Sequence, residues 1–319
     1  MTMRAMTITE DHRLELAELP EPVPAPGEVL VDVVAAGVNR ADVAQTAGKY
    51  PPPPGASELP GLEISGRRRD TGEAVVALLA GGGYAEVVAV PEDQLLPLPD
   101  GADPVDAAGV VEVAATVVSN LVLEAGLAEG ETVLIHGGTG GIGTFAIQLA
   151  RQLGARVLTT VGSDEAIPTV RELGADMAWN RHTTDLLEAV RETGGADVIL
   201  DVVGGPTLGD NVGMLREHGR LVIIGTLGGA SGELPIGRLM GKRGRVIGTT
   251  LRARRTEAKH QILEATEALV WPLLAAGELE IPIQARFPLE RAAEAHAVLR
   301  EGGHLGKVIL DVTAPQRRS

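Results

Sequence analysis

Over the first hundred residues the apolar positions come in short runs. Val29–Ala36, Ala74–Leu79 and Tyr84–Val90 read as strands, divided by clusters at Pro20–Gly27, Pro51–Gly55, Gly81–Gly83 and Pro97–Gly101. Short strands with this punctuation predict a barrel-like β domain. The run Pro51–Pro54 lies inside that domain and reads as a rigid loop rather than a polyproline ligand. From Thr132 the pattern changes to strand-length and helix-length segments in alternation: Val133–Ile135 then Gly141–Leu153, Val157–Val161 then Ala166–Leu173, Val198–Asp201 then Pro206–Arg216, followed by Leu221–Gly225 and Val246–Gly248. That alternation predicts a parallel, doubly wound sheet. A long helix, Glu257–Ala276, follows, and then Pro282–Phe287, a helix over Leu289–Arg300 and a last strand at Lys307–Val312. These last pieces have no sheet of their own and are expected to rejoin the first domain. The expected organisation is therefore residues 1–118 and 255–319 in one split domain and residues 119–254 in the other. The active cleft is expected between them, at the carboxyl ends of the parallel strands. Arg245–Thr249 is expected to be the last strand of the parallel sheet, and its bare edge predicts a homodimer.

Composition narrows the chemistry. With 319 residues, two domains are the default, and with aromatics at 2% the cores must be filled by Ala, Val, Leu and Ile. The net charge of −15 argues against nucleic acid or an anionic membrane surface as partner. The clusters Arg67–Arg69 and Arg252, Arg254, Arg255 read as solvated loop charge. The chain has no cysteine, which excludes disulfides, thiolate nucleophiles and Cys-based metal sites. The N-terminus has no apolar run of signal-peptide length and no segment reads as a membrane span; Val110–Leu123, the most apolar helix candidate, carries Glu112. A cytoplasmic protein is the expectation.

One segment carries recognisable chemistry. Thr132-Val-Leu-Ile-His-Gly-Gly-Thr-Gly-Gly-Ile-Gly143 spells GxGxxG over Gly138, Gly140 and Gly143, between an apolar strand and an amphipathic helix. In that context the motif predicts dinucleotide binding by Gly138, Thr139, Gly140, Gly141, Ile142 and Gly143. Gly138 is expected to permit the tight turn, Gly140 to let the backbone approach the pyrophosphate, and Gly143 to let helix and strand pack. The helix N-terminus would offer free N–H groups to the phosphates. NAD binders carry an acidic residue about 20 residues further on; Val161, Gly162 and Ser163 stand there, with Asp164 just beyond. The missing carboxylate favours NADPH over NADH.

Several further segments together resemble a known family. They are Gly37-Val-Asn-Arg-Ala-Asp42, Gly48-Lys-Tyr-Pro-Pro-Pro-Pro-Gly-Ala56, Gly61-Leu-Glu-Ile-Ser-Gly66, Gly81-Gly-Gly-Tyr-Ala-Glu86, Leu251-Arg-Ala-Arg254 and Gly306-Lys-Val-Ile-Leu310. The chain resembles the zinc-free quinone oxidoreductases of the medium-chain dehydrogenase/reductase superfamily over nearly its whole length, most closely the subgroup containing the p53-inducible quinone reductase. The resemblance implies an α/β fold: a Rossmann doubly wound parallel sheet plus a GroES-like β-rich catalytic domain. Zinc alcohol dehydrogenases of the superfamily place a Cys at the position of Asn39 and a His at that of Leu62, and neither residue found here is a useful zinc ligand. The resemblance implies that Asn39, Tyr50 and Thr116 line the nicotinamide end of the site. Asn39 is equally suited to holding a turn, and Thr116 to bonding back to its own helix. It also implies dinucleotide contacts from Ser163, Arg181, Gly204, Gly225, Thr226, Thr250, Leu251 and Lys307. Where relatives carry a basic residue this chain has Ala166, and where they often carry Tyr it has Arg181, so the 2′-phosphate clamp is expected to have moved to Arg181.

The leading expectation is an NADPH-dependent reductase of quinones or related conjugated carbonyls, acting by hydride transfer without zinc. An enoyl or enone reductase is the related alternative, because its more basic enolate gains more from a donor such as Tyr50. A dinucleotide-binding sensor or structural protein with little catalysis is the third.

Overall fold

A computed structural model describes residues 1–314. Its chain divides into two compact units, residues 1–115 together with the segment from Leu251 onward, and Thr116–Thr250.

The first unit opens with the hairpin β1 (Thr2–Ile8) and β2 (Leu14–Pro20). The long strand β3 (Glu28–Val38) leads into the short helix α1 (Arg40–Thr46). Strands β4 (Glu63–Arg68), β5 (Ala74–Leu78), β6 (Val87–Pro91) and β7 (Leu95–Pro97) follow, and then helix α2 (Val111–Val117). The strand expected from Tyr84 begins only at Val87, because Tyr84 sits in a bend with its side chain fully buried. Helix α2 does not run on regularly as the apolar pattern suggests: Val118–Glu124 is π-helical.

The second unit is the alternating region. Its strands are β8 (Thr132–His136), β9 (Arg156–Val161), β10 (Met177–Asn180), β11 (Ala196–Asp201), β12 (Leu215–Ile223) and β13 (Arg245–Gly248). Its helices are α3 (Gly141–Gln152), α4 (Ile167–Glu172), α5 (Leu186–Glu192), α6 (Leu208–Met214) and α7 (Ile236–Gly241). All the pairings are parallel, in the order β10-β9-β8-β11-β12-β13. That is the doubly wound dinucleotide-binding order, which reverses between β8 and β11. Strand β12 starts at Leu215, earlier than the apolar pattern shows, because its first residues, Leu-Arg-Glu-His-Gly-Arg, are mostly polar. Leu134, Leu158, Ile199 and Leu221 fill the layer between sheet and helices with Val190 and Val212. Burying each such side chain is worth roughly 1.5–3 kcal/mol.

The chain then returns to the first unit through α8 (Thr256–Ala275), β14 (Ile283–Pro288), α9 (Ala292–Glu301) and β15 (Lys307–Asp311). Strand β15 pairs antiparallel with β3 and parallel with β14, so the sheet runs β14-β15-β3-β4-β5-β7, with β6 also on β3. Ala292, Ala295 and Leu299 of α9 pack on Ile64, Val308 and Leu310 of this sheet. Ile262 and Leu263 of α8 pack on Val76, Leu78 and Val111. The segment Asp106–Glu124 is apolar and long enough to cross a bilayer, but 78% of it is buried inside the protein, as a core helix should be.

Candidate functional site

A candidate dinucleotide site lies in the second unit, at the carboxyl ends of β8, β9 and β11. The turn after β8 is made by Gly137, whose φ is +77°, not by Gly138 as the motif suggests. Gly138 has a packing role instead: a Cβ there would overlap the Thr159 hydroxyl on β9. A Cβ on Gly143 would overlap the Gly137 carbonyl oxygen, so this glycine seats helix α3 against the turn. Gly140 caps α3, and a Cβ on it would meet nothing closer than 3.8 Å, leaving open space beside the backbone. Thr139 belongs to the turn. The N–H groups of Gly141, Ile142 and Gly143 have no carbonyl one turn earlier, since Thr144 N–H is the first to bond back, to Gly140 O at 2.9 Å. Open space in front of free donors at a helix N-terminus fits a pyrophosphate.

Behind this turn stands a polar network that no sequence motif signals. Buried His136 contacts Asn211 Oδ1 at 2.8 Å and Thr160 Oγ1 at 3.2 Å. Asn211 Nδ2 donates to Asp201 Oδ2 at 3.0 Å, which fixes the amide so that His136 Nε2 is the donor. Burial lowers the pKa of His136 and keeps the imidazole neutral. Asp201 also accepts from the backbone of Val203 (2.7 Å) and Gly204, shaping the turn after β11. Gly204 lies against Gly225 and Thr226, so these three expected contacts share one place, while Thr250 is exposed just beyond β13. At the end of β9 the Arg181 guanidinium lies against Gly162, where a Cβ would be 3.1 Å from its Nη1. Among the described residues Arg181 forms no ion pair, and Asp164 is occupied by Asn180 Nδ2 at 3.1 Å. Ser163 precedes the 3₁₀ turn that holds Asp164. Thr116 is buried on α2, and its carbonyl accepts from Asn120 Nδ2 at 2.7 Å where the π-helical turn begins.

A separate polar cluster surrounds α1 in the first unit. Asn39 does precede the helix, and its side chain is also locked: Nδ2 donates to Glu63 Oε1 (3.0 Å) and Oδ1 accepts from Lys307 Nζ (2.6 Å). Lys307 also reaches Glu63 Oε1 at 2.6 Å and Val38 O at 3.2 Å, so its three protons are engaged in a buried cluster. The Lys307 ammonium thus supports the Asn39 side chain. Glu63 uses its other oxygen to accept the Glu112 N–H at the start of α2 (2.9 Å). Asp42, fully buried on α1, accepts from the backbone N–H of Asn39 (2.8 Å) and Gly61 (3.0 Å) and lies 3.3 Å from Tyr84 Oη. Burial outweighs these bonds and raises its pKa to about 6. Tyr84 Oη is 3.1 Å from His296 Nε2, and burial lowers His296 to about 4.

Tyr50 follows α1. Its carbonyl accepts from Arg252 Nη1 at 3.3 Å, and its ring lies 5.3 Å from the guanidinium carbon. Arg252 is not solvated, as its cluster suggested: it is 6% exposed, bonded to Ala80 O (2.8 Å) and Gln45 Oε1 (2.7 Å). The neighbouring Leu251 is half-buried against the α8 core. Arg68 and Arg69 are likewise tied, to Asp70 and Glu92 and to Glu21 and Asp32 respectively. Among the described residues no group of three His, Cys, Asp or Glu could hold a metal ion.

Comparison with known proteins agrees with both units. Residues 25–100 match the alcohol dehydrogenase GroES-like domain, and residues 141–268 the zinc-binding dehydrogenase family. The quinone oxidoreductase of Lama guanicoe is 30% identical over 97% of each chain. Among solved structures, the quinone oxidoreductase of Thermus thermophilus, also determined with NADPH, superposes with a TM-score of 0.84 at 33% identity, covering 97% of this chain and 100% of that one. The Escherichia coli quinone oxidoreductase complexed with NADPH gives 0.83 at 26% identity, covering 97% and 99%. Full-length similarity, a parallel dinucleotide-binding sheet and a GroES-like β unit lead to one assignment: the chain is an oxidoreductase of the medium-chain dehydrogenase/reductase superfamily and belongs to its quinone oxidoreductase family.

Proposed function

We propose that the protein is a cytoplasmic, homodimeric, NADPH-dependent reductase of quinones or related conjugated carbonyls that works without zinc. The observation that carries this reading is the locked side chain of Asn39. Its amide is held between Glu63 and Lys307 at the position that a zinc ligand takes in the alcohol dehydrogenases. The Lys307 ammonium that holds it is itself compensated by the Glu63 carboxylate. A bound nicotinamide supplies the hydride. The work of this chain is to bind, orient and exclude water. The free N–H groups opening α3 hold the pyrophosphate, and Arg181 pairs with the 2′-phosphate through two parallel hydrogen bonds. Asn39, Tyr50 and Thr116 serve the nicotinamide end, with the Tyr50 ring seated on Arg252. A quinone suits this set, because its reduced oxygen is a stabilised phenolate and needs no strong acid.

The test is a panel of quinones and enones, with NADPH or NADH, followed by loss of cofactor absorbance. Turnover of quinones with NADPH is expected. Turnover of enones alone would move the assignment to enone reduction, and no turnover despite dinucleotide binding would make the protein a sensor.

A further inference from the structure

Apart from the candidate dinucleotide site, the second unit has a cavity of about 330 Å³ at the opposite end of its sheet, lined by Arg191, Arg216, Lys242, Glu217 and the Gly194–Gly195 and Gly213–Leu215 backbone. It lies where β11 and β12 begin and just before β13, at the amino ends of the strands, whereas the glycine turn lies at their carboxyl ends. Three basic side chains from separate segments line it, and a fourth, Arg238, adjoins it at Gly213. Arg191 ends α5, Arg216 opens β12, Arg238 is on α7 and Lys242 follows it. A Cβ on Gly213 would meet Arg238 Nη1 at 2.9 Å and Arg191 Nη2 at 3.4 Å, so both guanidiniums close on one glycine.

The nearby carboxylates neutralise only Arg216 of this group. Asp197 pairs with Arg216 at 2.6 Å, and Glu217 pairs with Arg243. Among the described residues, Arg191, Arg238 and Lys242 have no carboxylate partner. Arg191 Nε donates to Gly213 O at 3.2 Å and Lys242 Nζ to Leu215 O, both carbonyls at the C-terminal end of α6. Those bonds use one donor of each side chain and none of Arg238. Burial, Arg191 and Arg238 all push the Lys242 pKa down, as expected of cations gathered without a counter-charge. A chain of net charge −15 has no general need for such a surplus.

We propose that this cavity binds a phosphate dianion, either orthophosphate or the phosphate group of a small monoester, between the Arg191 guanidinium and the Lys242 ammonium, with the Arg238 guanidinium beside them at Gly213 adding its charge. Planar guanidiniums match phosphate oxygens in pairs, and the ammonium adds a compact charge. The volume is at the lower end of the range for small-molecule sites, which leaves room for a monoester's carbon chain.

The experiment is titration calorimetry of orthophosphate, and separately of glycerol phosphate, at fixed ionic strength in chloride. Wild type, Arg238→Glu and Arg181→Ala are compared. Arg238 is exposed and bonds no neighbour among the described residues, so Arg238→Glu should fold, and its thermal unfolding is recorded to confirm this. Binding should weaken roughly 10-fold or more in Arg238→Glu and persist in Arg181→Ala, which alters only the dinucleotide site. A preference for glycerol phosphate would identify a monoester as the ligand, and equal or better binding of orthophosphate the free anion. No binding in wild type, or equal binding in wild type and Arg238→Glu, would overturn the proposal and leave the cations as caps of α6. Loss in Arg181→Ala with retention in Arg238→Glu would place phosphate at the dinucleotide site instead.

Discussion

Arg181 and His296 show how single side chains report on their surroundings. Arg181 has no carboxylate partner among the described residues and lies against Gly162, so its guanidinium is available to a phosphate. Arg181→Ala should weaken NADPH binding roughly 10- to 150-fold and leave NADH almost unchanged, as fluorescence titration of both cofactors would show. An equal effect on both would remove Arg181 as the 2′-phosphate ligand. His296 and Asp42 both contact the Tyr84 hydroxyl, and their pKa values move in opposite directions. His296 is lowered to about 4 from 6.5, so the unfolded chain binds its proton more readily. Its contribution to stability is complete above pH 6.5 and is lost as pH falls towards 4. Asp42 is raised to about 6 from 3.8, so its contribution is present below 3.8 and is lost as pH rises through 6. Each amounts to about 3 kcal/mol, and over the same window they nearly cancel. In His296→Gln only the Asp42 effect remains. The stability of that variant relative to wild type, measured by urea unfolding, should therefore fall as pH rises from 4 to 6.5; a pH-independent difference would disprove the pairing. None of this is visible in the sequence. Lys307 and Glu63 are 244 positions apart, and no local pattern marks a charge that will be buried by a partner so distant.

At the scale of elements, much of the fold is legible. The change from short, punctuated strands to alternating strands and helices marks β8, and the glycine-rich segment joins β8 to α3 as expected. The individual glycine roles are less legible, because GxGxxG gives spacing and not φ. Gly137, outside the motif, takes the left-handed turn, and Gly138 makes the close approach to Thr159. Gly137→Ala should therefore cost about 1–2 kcal/mol from backbone conformation alone, since a Cβ there meets only Val202 Cγ2, at 3.4 Å. Gly143→Ala should cost more and also weaken dinucleotide binding, because α3 must move off the Gly137 carbonyl. Urea unfolding and cofactor titration of the two variants check this order, which equal losses would contradict. The early start of β12 escapes the apolar pattern because Arg216–Gly219 have no apolar side chain; only Leu215 pairs with β11 there, at Ala196, before regular pairing resumes at Arg220. The π-helical turn after α2 escapes it too, since apolar spacing cannot separate a π turn from an α turn over so few residues.

For the whole molecule, two predictions concern assembly and metal. Among the described residues β13 pairs only with β12, and the nearby Ile236 and Met240 are 63% and 71% exposed. An open strand edge beside exposed apolar side chains favours pairing with a second copy. Light scattering at micromolar concentration should give twice the 33.1 kDa chain mass, and a monomer mass would refute the dimer. Dialysis against a strong chelator should leave quinone turnover unchanged, and loss reversed by zinc would overturn the reading of Asn39. The return of the chain to its first unit has a consequence for synthesis. Thr116–Thr250 is contiguous and can fold as it leaves the ribosome, but β3 must wait for β15, and Glu63 for Lys307. At about 5–20 residues per second that wait lasts on the order of 10–50 s. During it the nascent N-terminal portion carries an unpaired strand edge and an uncompensated carboxylate at its centre. Until β15 emerges the newborn chain exposes an edge open to pairing with other chains.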